Sequence, residues 1–454
     1  LAVVCVGWYF YGGGSDGVMK NACHSWGRYF HYTHDERTIF WRNDVLPKTE
    51  NKILPFGMGR SYGDSCLNDG GTLLHTSALN HWIDFDKTTG LLRCEAGVSL
   101  ADILAICVPH GWFLPATPGT KFVTLGGAVA NDVHGKNHVV DGTFGRHITA
   151  FELLRSDGER LLCTPSENTG LFCATIGGLG LTGLITWLEL QLIPVKNAFV
   201  NDDSFQCDNL DHCLQHFEQS RETHRYRVAW LDCLATGSAL GRSIFSRANH
   251  CESDTLPIVH QQGKKLSVPL TFPPHVLNRY SVSAFNALYC RKLRARKKSA
   301  RLSYDAFFYP LDNIHHWNRI YGPRGFLQYQ CVVTRDVRDT LQALLNRIAQ
   351  SGQASFLSVL KEFGDLPSPG LLSFPRSGYT LALDFPNLGD STLNLLNDLD
   401  AIVREAEGAI YPAKDARMSP AMFRASFPQV EKFIPYIDPQ FSSSFWRRVY
   451  SQSQ

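Results

Sequence analysis

Three patterns in this chain of 454 residues have spacings that catalysis or metal binding uses. Gly59-Arg60-Ser61-Tyr62-Gly63 fits G-x-S-x-G, the setting of a nucleophilic serine, but a nucleophile elbow needs a helix directly afterward and DSCLNDGG is a turn sequence. Gly178-Leu179-Gly180-Leu181-Thr182-Gly183 fits G-x-G-x-x-G, yet that fingerprint leads into a helix and LITWLELQLIP reads as a strand. His134-Gly135-Lys136-Asn137-His138 is the third. Imidazoles four residues apart can share a cation on a helix, but Gly135 disfavours a helix and no glutamate or cysteine adjoins to complete a metal set. A structural polar loop and the wall of a ligand site are the other readings, and the wall is preferred.

What survives is a series of glycine turns: PFGMGRSYGD from Pro55 to Asp64, Pro118-Gly119-Thr120, and TLGGAVA from Thr124 to Ala130. Glycine lets backbone approach a ligand closely, and successive amides in such turns form nests that hold phosphate oxygens without a lysine. Each alone is a tight turn; together they suit a dinucleotide whose pyrophosphate lies along the loops. Gln328 and Gln330 alternate on FLQYQ, so a strand would point both amides to one side, where they could donate to and accept from a sugar.

These residues need elements to hold them. From Lys52 to about Pro194, short β-rich runs predict strands: ILPF, GTLLHT, LLRCEAGV, FVTLGGAVA, ITAFELLRS, ERLLCT and GLITWLELQLIP. One helix interrupts them over Ser99–His110, with Ser99 as its N-cap. After Pro194, LDHCLQHFEQSRE and TLQALLNRIAQSG predict amphipathic helices, while RYRVAWLD, GFLQYQCVVT and YTLALDFP predict strands. A last stretch, from LLNDLDAIVREAEG through IYPAKDARMSP, returns to helix, strand and loop. The pattern is α+β and not a regular βαβ alternation. At 291–301 the run RKLRARKKSAR has seven basic residues in eleven, read either as a solvated helix face or as a loop that meets an anionic membrane surface or phosphate.

Bulk properties exclude classes without selecting one. With 44% hydrophobic and 19% charged residues the chain is an ordinary globular one, long enough for two domains. A net charge of +2, with 42 acidic residues, argues against nucleic acid as a partner. Thirteen cysteines, from Cys5 to Cys331, include no C-x-x-C pair and are expected to be mostly reduced and buried, which favours the cytoplasm. The apolar run in LAVVCVGWYFYGGG is too short to span a membrane and lacks the basic region and cleavage site of a signal peptide; a shallow membrane contact or an unstructured start are the readings left.

GRSYGDSCLNDGG, PGTKFVTLGGAVANDVHGKNH and ATIGGLGLTGLI together resemble the flavin domain of the vanillyl-alcohol oxidase superfamily, the PCMH-type FAD-binding proteins. RYRVAWLD, WNRIYGPRGFLQYQ, LSFPRSGYTLALDFP and YPAKDAR extend the resemblance, toward the branch that oxidises polyprenyl-phosphoryl-ribose, across nearly everything from Ser25 to about Tyr450. It implies a two-domain PCMH-type FAD-binding fold of the α+β class, with a substrate domain built on an antiparallel sheet with helices. The expected boundaries are an N-terminal extension over 1–24, an FAD domain over 25–195, a substrate domain over 196–405, and a segment over 406–454 that returns to the flavin site.

The resemblance implies flavin contacts from the first loop, Pro55, Phe56, Gly57, Met58, Gly59, Arg60, Ser61, Tyr62, Gly63, Asp64 and Ser65. It adds Gly119, Thr124, Leu125, Gly126, Gly127, Asn131, Asp132, Val133, His134, Ile185 and Tyr411. Where covalent members carry a histidine in the first loop this chain has Tyr62, so non-covalent FAD is expected, with Cys66 as the thiol to weigh against it. Lys414 and His134 are the implied catalytic residues, Lys414 at the sugar hydroxyl; without the resemblance Lys414 would read as an exposed lysine at a strand end. Lys136, Trp230, Gln328, Gln330, Lys361 and Asp384 are the implied substrate contacts, although composition alone places Trp230 in the core. No metal is expected.

The chain departs from the branch at Ala382, where a cysteine is usual, at Thr380, where asparagine is, near Phe308, where a tyrosine is, and in a short Arg28–Ile53 span. The implied activity is oxidation of the 2′-hydroxyl of a polyprenyl-phosphoryl-β-D-ribose to a ketone, the first half of an epimerisation to arabinose. A soluble sugar or aldonolactone oxidase, and a flavin binder without catalysis, are the rival readings. The expected partners are the lipid-linked sugar, a separate ketosugar reductase and a peripheral membrane contact, with the periplasmic face left open beside the cytoplasmic one.

Overall fold

The computed structural model of the protein describes residues 23–258, 266–273, 276–292 and 297–450. The expectations for the apolar N-terminal run, and for 293–296 in the basic run, lie outside these. The glycine-punctuated half builds two larger sheets and a two-stranded one that pairs Trp112–Phe113 with Ile193–Pro194. Thr72–His75 lies between Asp35–Thr38 and Ile53–Phe56 in a parallel sheet. Trp82–Asp86, Leu91–Glu95, Leu184–Gln191, Ile148–Leu154 and Arg160–Cys163 follow one another across an antiparallel sheet.

Local chemistry explains the helix over Leu100–Cys107. Ser99 Oγ accepts from the Asp102 amide at 3.1 Å and the Asp102 carboxylate accepts from the Ser99 amide at 3.2 Å, a reciprocal capping box. Leu100, Ile103, Leu104 and Cys107 then fall on one buried face, which shares a core with Phe151, Leu153, Leu188 and Leu190 of the five-stranded sheet. FVTLGGAVA is the exception among the expected strands: Leu125–Ala130 is a helix, begun by Thr124, whose hydroxyl accepts from the Gly127 amide at 3.2 Å. A six-residue apolar run fits either element by pattern, and the cap decides it.

The second half is built on an eight-stranded antiparallel sheet, ordered Lys297–Ser303, Phe199–Cys207, Ser243–His250, Tyr226–Leu231, Ser358–Phe363, Gly378–Pro386, Phe326–Val333 and Ala409–Ile410. The helices Leu210–Ser220, Val337–Ser351 and Asp390–Glu405 contribute buried leucines, among them Leu341, Leu345, Leu395 and Leu399, to the core cluster that contains Leu381, Leu383 and Phe385 of the sheet. Along Gly378–Pro386 the alternate residues Thr380, Ala382 and Asp384 point to the other face, opposite Gln330 and Gln328. Phe326–Val333 is buried throughout because both of its faces are covered. The basic run does not make one helix face: the helix Arg279–Lys292 ends inside it, and Lys297, Lys298 and Arg301 are exposed on the edge strand.

The described cysteines are free, and most are buried. Among the described residues no helix is long and apolar enough to cross a membrane.

Candidate active site

The face of the large sheet opposite its helices and the glycine turns enclose a cavity of about 700 Å³, within the range of a cofactor and substrate site. Its floor begins where Ile53–Phe56 ends. A Cβ on Gly57 would lie 2.5 Å from Thr124 Oγ1, so the first glycine turn sits directly on the cap of the short helix. Further along, the Tyr62 amide donates to Ala413 O at 2.8 Å, and a Cβ on Gly63 would lie 1.7 Å from Asp415 O. The first loop and the 411–415 turn are therefore in backbone contact.

An ion pair fixes that contact. Arg448 Nη2 lies 2.7 Å from Asp64 Oδ1 and 2.9 Å from Asp415 Oδ2, and both carboxylates are buried. Ile410 pairs with Cys331 in the sheet, and the Tyr411 amide donates to Gln330 O at 2.9 Å, which carries the turn to the cavity. The Tyr411 hydroxyl donates to Asn131 O at 2.9 Å, across to the flavin-type half.

Lys414 emerges from this turn with its Nζ 3.8 Å from the centre of the Tyr62 ring. Burial is the main cause that holds its pKa below the ordinary lysine value; Asp384 opposes the shift and Lys361 adds to it. Burial alone brings Lys361 down to about 8. Burial, then Lys361, brings Lys136 to about 7, against Asp202. Three amines of reduced basicity thus face one space. Lys136 also donates to Phe307 O, with Nζ 4.1 Å from the Phe307 ring centre.

Gln330 Nε2 donates to His134 Nε2 at 2.9 Å and to Thr380 Oγ1 at 3.1 Å. His134 is therefore the neutral tautomer that carries its proton on Nδ1, and burial holds its pKa well below 6.5. Its Nδ1 is buried with no protein partner. His138 turns elsewhere, accepting from the Gly364 amide at 3.2 Å, so the two histidines of the H-x-K-x-H run do not converge.

Most residues expected at the flavin line the cavity: Pro55, Gly57, Met58, Gly59, Arg60, Ser61, Tyr62, Ser65, Gly119, Thr124, Gly126, Gly127, Asn131, Val133, His134, Ile185 and Tyr411. Five do not. Phe56 and Leu125 are core residues, and Gly63 is pressed against Asp415. Asp64 is spent on Arg448, and Asp132 accepts from the Gly145 amide at 2.8 Å and from the hydroxyls of Ser368 and Ser373, a brace between the halves. On the substrate side Lys136, Trp230, Gln328, Gln330 and Lys361 line the cavity. Asp384 stands behind Gln328, whose Nε2 donates to it at 2.5 Å. Trp230 is thus a wall and not core, its indole N–H donating to Phe356 O at 2.9 Å.

Several lining residues lie outside the motifs legible in the sequence. Gly180 and Gly183 of the rejected G-x-G-x-x-G run face the cavity, as do Asp202, Ser246, Phe285, Tyr289 and Phe307. Polar Asp202 and Ser204, two apart on a strand, were the available signal for this wall.

FAD fits the glycine arm on the donors present. Arg60 Nε and Ser65 Oγ, both on lining residues, are buried without a protein partner, as is His134 Nδ1. At Gly119 an added Cβ would meet no protein atom within 4 Å, so the chain itself leaves space there.

Comparison with known proteins agrees with this reading of the arm. Residues 44–164 match the family described as "FAD binding domain". The chain is 36% identical over 412 residues to a decaprenylphosphoryl-beta-D-ribose oxidase of Mycolicibacterium smegmatis, covering 87% of this chain and 89% of that protein. It is 29% identical over 182 residues to the L-gulonolactone oxidase of Mus musculus, covering 39% and 41% of the two chains. It is 33% identical over 115 residues to the Delta(24)-sterol reductase of Rattus norvegicus, covering 25% and 22%.

Proposed function

This chain belongs to the PCMH-type FAD-binding family of FAD-linked oxidoreductases, and on that premise we propose that it oxidises the 2′-hydroxyl of a polyprenyl-phosphoryl-β-D-ribose to a ketone. The observation that carries the reading is the convergence of Lys136, Lys361 and Lys414 with Gln328 and Gln330 on the cavity that Tyr62 and His134 also line. The amides suit the hydroxyls of a sugar, and the ammonium groups of Lys136 and Lys361 suit its phosphate. Identity over nearly the whole length of a decaprenylphosphoryl-beta-D-ribose oxidase favours this over a small lactone.

The first loop, Gly119, Thr124, Gly126 and Gly127 would hold FAD without a covalent bond, and FAD bound there would supply the acceptor for the hydride lost from the carbinol carbon. The Lys414 amine takes the hydroxyl proton. The Tyr62 ring and the 411–415 turn fix where that amine stands. The His134 Nδ1–H is placed to donate to a carbonyl-type oxygen, since Gln330 occupies Nε2. Tyr62 gives no histidine for attachment, and burial with Asp64 raises the Cys66 thiol to about 12, leaving it protonated and a weak nucleophile.

The deciding measurement is the visible spectrum of the purified protein before and after acid precipitation, followed by anaerobic addition of farnesylphosphoryl-ribose. Flavin bands that pass into the supernatant, and that bleach in the intact protein with this donor, are expected. Bleaching by free aldonolactones alone would transfer the reading to a lactone oxidase.

The lipid tail has a complementary surface. Leu266, Leu270, Tyr280 and Leu288 are each more than 60% exposed within one short stretch of chain, and Phe285, 42% exposed, also lines the cavity. Exposed Lys297, Lys298 and Arg301 follow in the chain, on the edge strand of the large sheet. Exposed apolar residues followed in the chain by exposed basic ones suit an anionic bilayer surface. Leu270→Asp with Leu288→Asp is expected to weaken cosedimentation with phosphatidylglycerol vesicles at least tenfold, with turnover of a short-chain substrate unchanged; equal cosedimentation would remove this surface from the proposal.

A further inference from the structure

We infer that Cys23, Glu36 and His75 form a site for one soft divalent cation, of the zinc class, on the flavin-type half and apart from the cavity. Their ligating atoms, Cys23 Sγ, one Glu36 carboxylate oxygen and a His75 ring nitrogen, all lie within 4.8 Å of one another. His75 Nε2 is 3.7 Å from Cys23 Sγ and 3.1 Å from Glu36 Oε2. Around a tetrahedral zinc, with bonds of about 2.3 Å to sulfur and about 2.0–2.1 Å to nitrogen and oxygen, the S···N edge is about 3.6 Å and the N···O edge about 3.3 Å. Both observed separations match these edges to within a few tenths of an ångström, and the third, from Cys23 Sγ to the Glu36 oxygen, is within 4.8 Å.

The backbone holds the three residues independently of any cation. Glu36 and His75 lie on neighbouring parallel strands, Asp35–Thr38 and Thr72–His75. Cys23 packs against the adjacent apolar cluster of Leu54, Phe56, Leu67 and Leu73. All three are only partly buried, which leaves a fourth position open to water. Entry of the cation releases the thiol proton to solvent; thiolate, carboxylate and neutral imidazole then balance a 2+ charge. An S/N/O donor set of this kind selects zinc-like ions over magnesium or calcium.

The site ties residue 23 to the strand whose His75 is in register with Phe56, immediately before the first glycine turn. A bound cation would therefore brace the base of that turn.

The test uses the FAD-loaded protein, dialysed against a chelator with a non-coordinating reductant and titrated with Zn²⁺ in competition with a chromophoric chelator. One equivalent is expected to bind, with affinity at least tenfold weaker in Cys23→Ser and in His75→Gln, while both variants keep the wild-type FAD content. Zn²⁺ should also protect Cys23 of the unmodified protein from iodoacetamide, read by peptide mass spectrometry, which keeps the test decisive if a variant fails to fold. Absence of uptake by the wild type, unchanged affinity in both variants, or alkylation of Cys23 at the same rate with saturating Zn²⁺ would each overturn the inference.

Discussion

Replacing Lys414 with methionine should slow flavin reduction by the sugar donor about 10²–10⁴-fold, the usual contribution of a positioned general base, while FAD stays bound. Methionine keeps the length and packing over Tyr62 but has no proton acceptor. The prediction rests on position first: Lys414 stands on the Tyr62 ring, at the end of a turn fixed by both halves of the protein. Its lowered pKa sets the sign of the pH dependence. The base is the neutral amine, so the wild-type rate should rise with pH through a midpoint below the lysine value of 10.5 and level off above it. Affinity should move the other way. Lys136, brought to about 7, and Lys361, brought to about 8, carry charge for a phosphate only below those values, so KM should rise as pH passes them. Stopped-flow reduction at several pH values separates the two, because Lys414→Met should lose the rising limb of the rate and keep the rise in KM. A variant within threefold of wild type would remove Lys414 from the chemistry.

Arg448→Met is expected to cost about 3–5 kcal/mol of stability, far more than an exposed ion pair would, and to strip FAD during gel filtration. Asp64 and Asp415 are 0% and 4% exposed, and Arg448 is the cation that both carboxylates meet. Without it two carboxylates face each other out of water, and their repulsion acts on the joint between the first loop and the Lys414 turn. Arg448→Lys should recover only part of the loss, because one ammonium cannot reproduce a guanidinium that spans two carboxylates. A fall in the urea midpoint together with a lower ratio of flavin to protein absorbance reads both effects. A stability change under 1 kcal/mol would mean that the joint is held by its backbone contacts alone.

Much of the scaffold was legible because it is local. The helix over Leu100–Cys107 could be placed from Ser99, a serine ahead of apolar residues at helical spacing, and the capping box confirms the reason. The side-by-side projection of Gln328 and Gln330 follows from strand geometry alone. Failures came where two local readings compete and a partner decides. FVTLGGAVA suits a strand by composition until the Thr124 hydroxyl caps it as a helix. Asp64 and Asp132 sit inside a flavin motif, yet their carboxylates are drawn off by Arg448, Ser368 and Ser373, residues more than 200 positions along the chain.

By itself the amino-acid sequence determined the α+β class, the glycine turns, the family, and which polar residues are candidates, since each of these depends on neighbours in the chain or on a matched motif. The tertiary structure decided which candidates meet. Lys414 reaches Tyr62 because Ile410 pairs with Cys331 at the edge of the large sheet and because Gly63 has no side chain to keep Asp415 away. The perturbed basicity of Lys136 and Lys361 belongs to the same level. A lysine's type sets its charge in water, and only the assembled walls of the cavity remove enough water to change it.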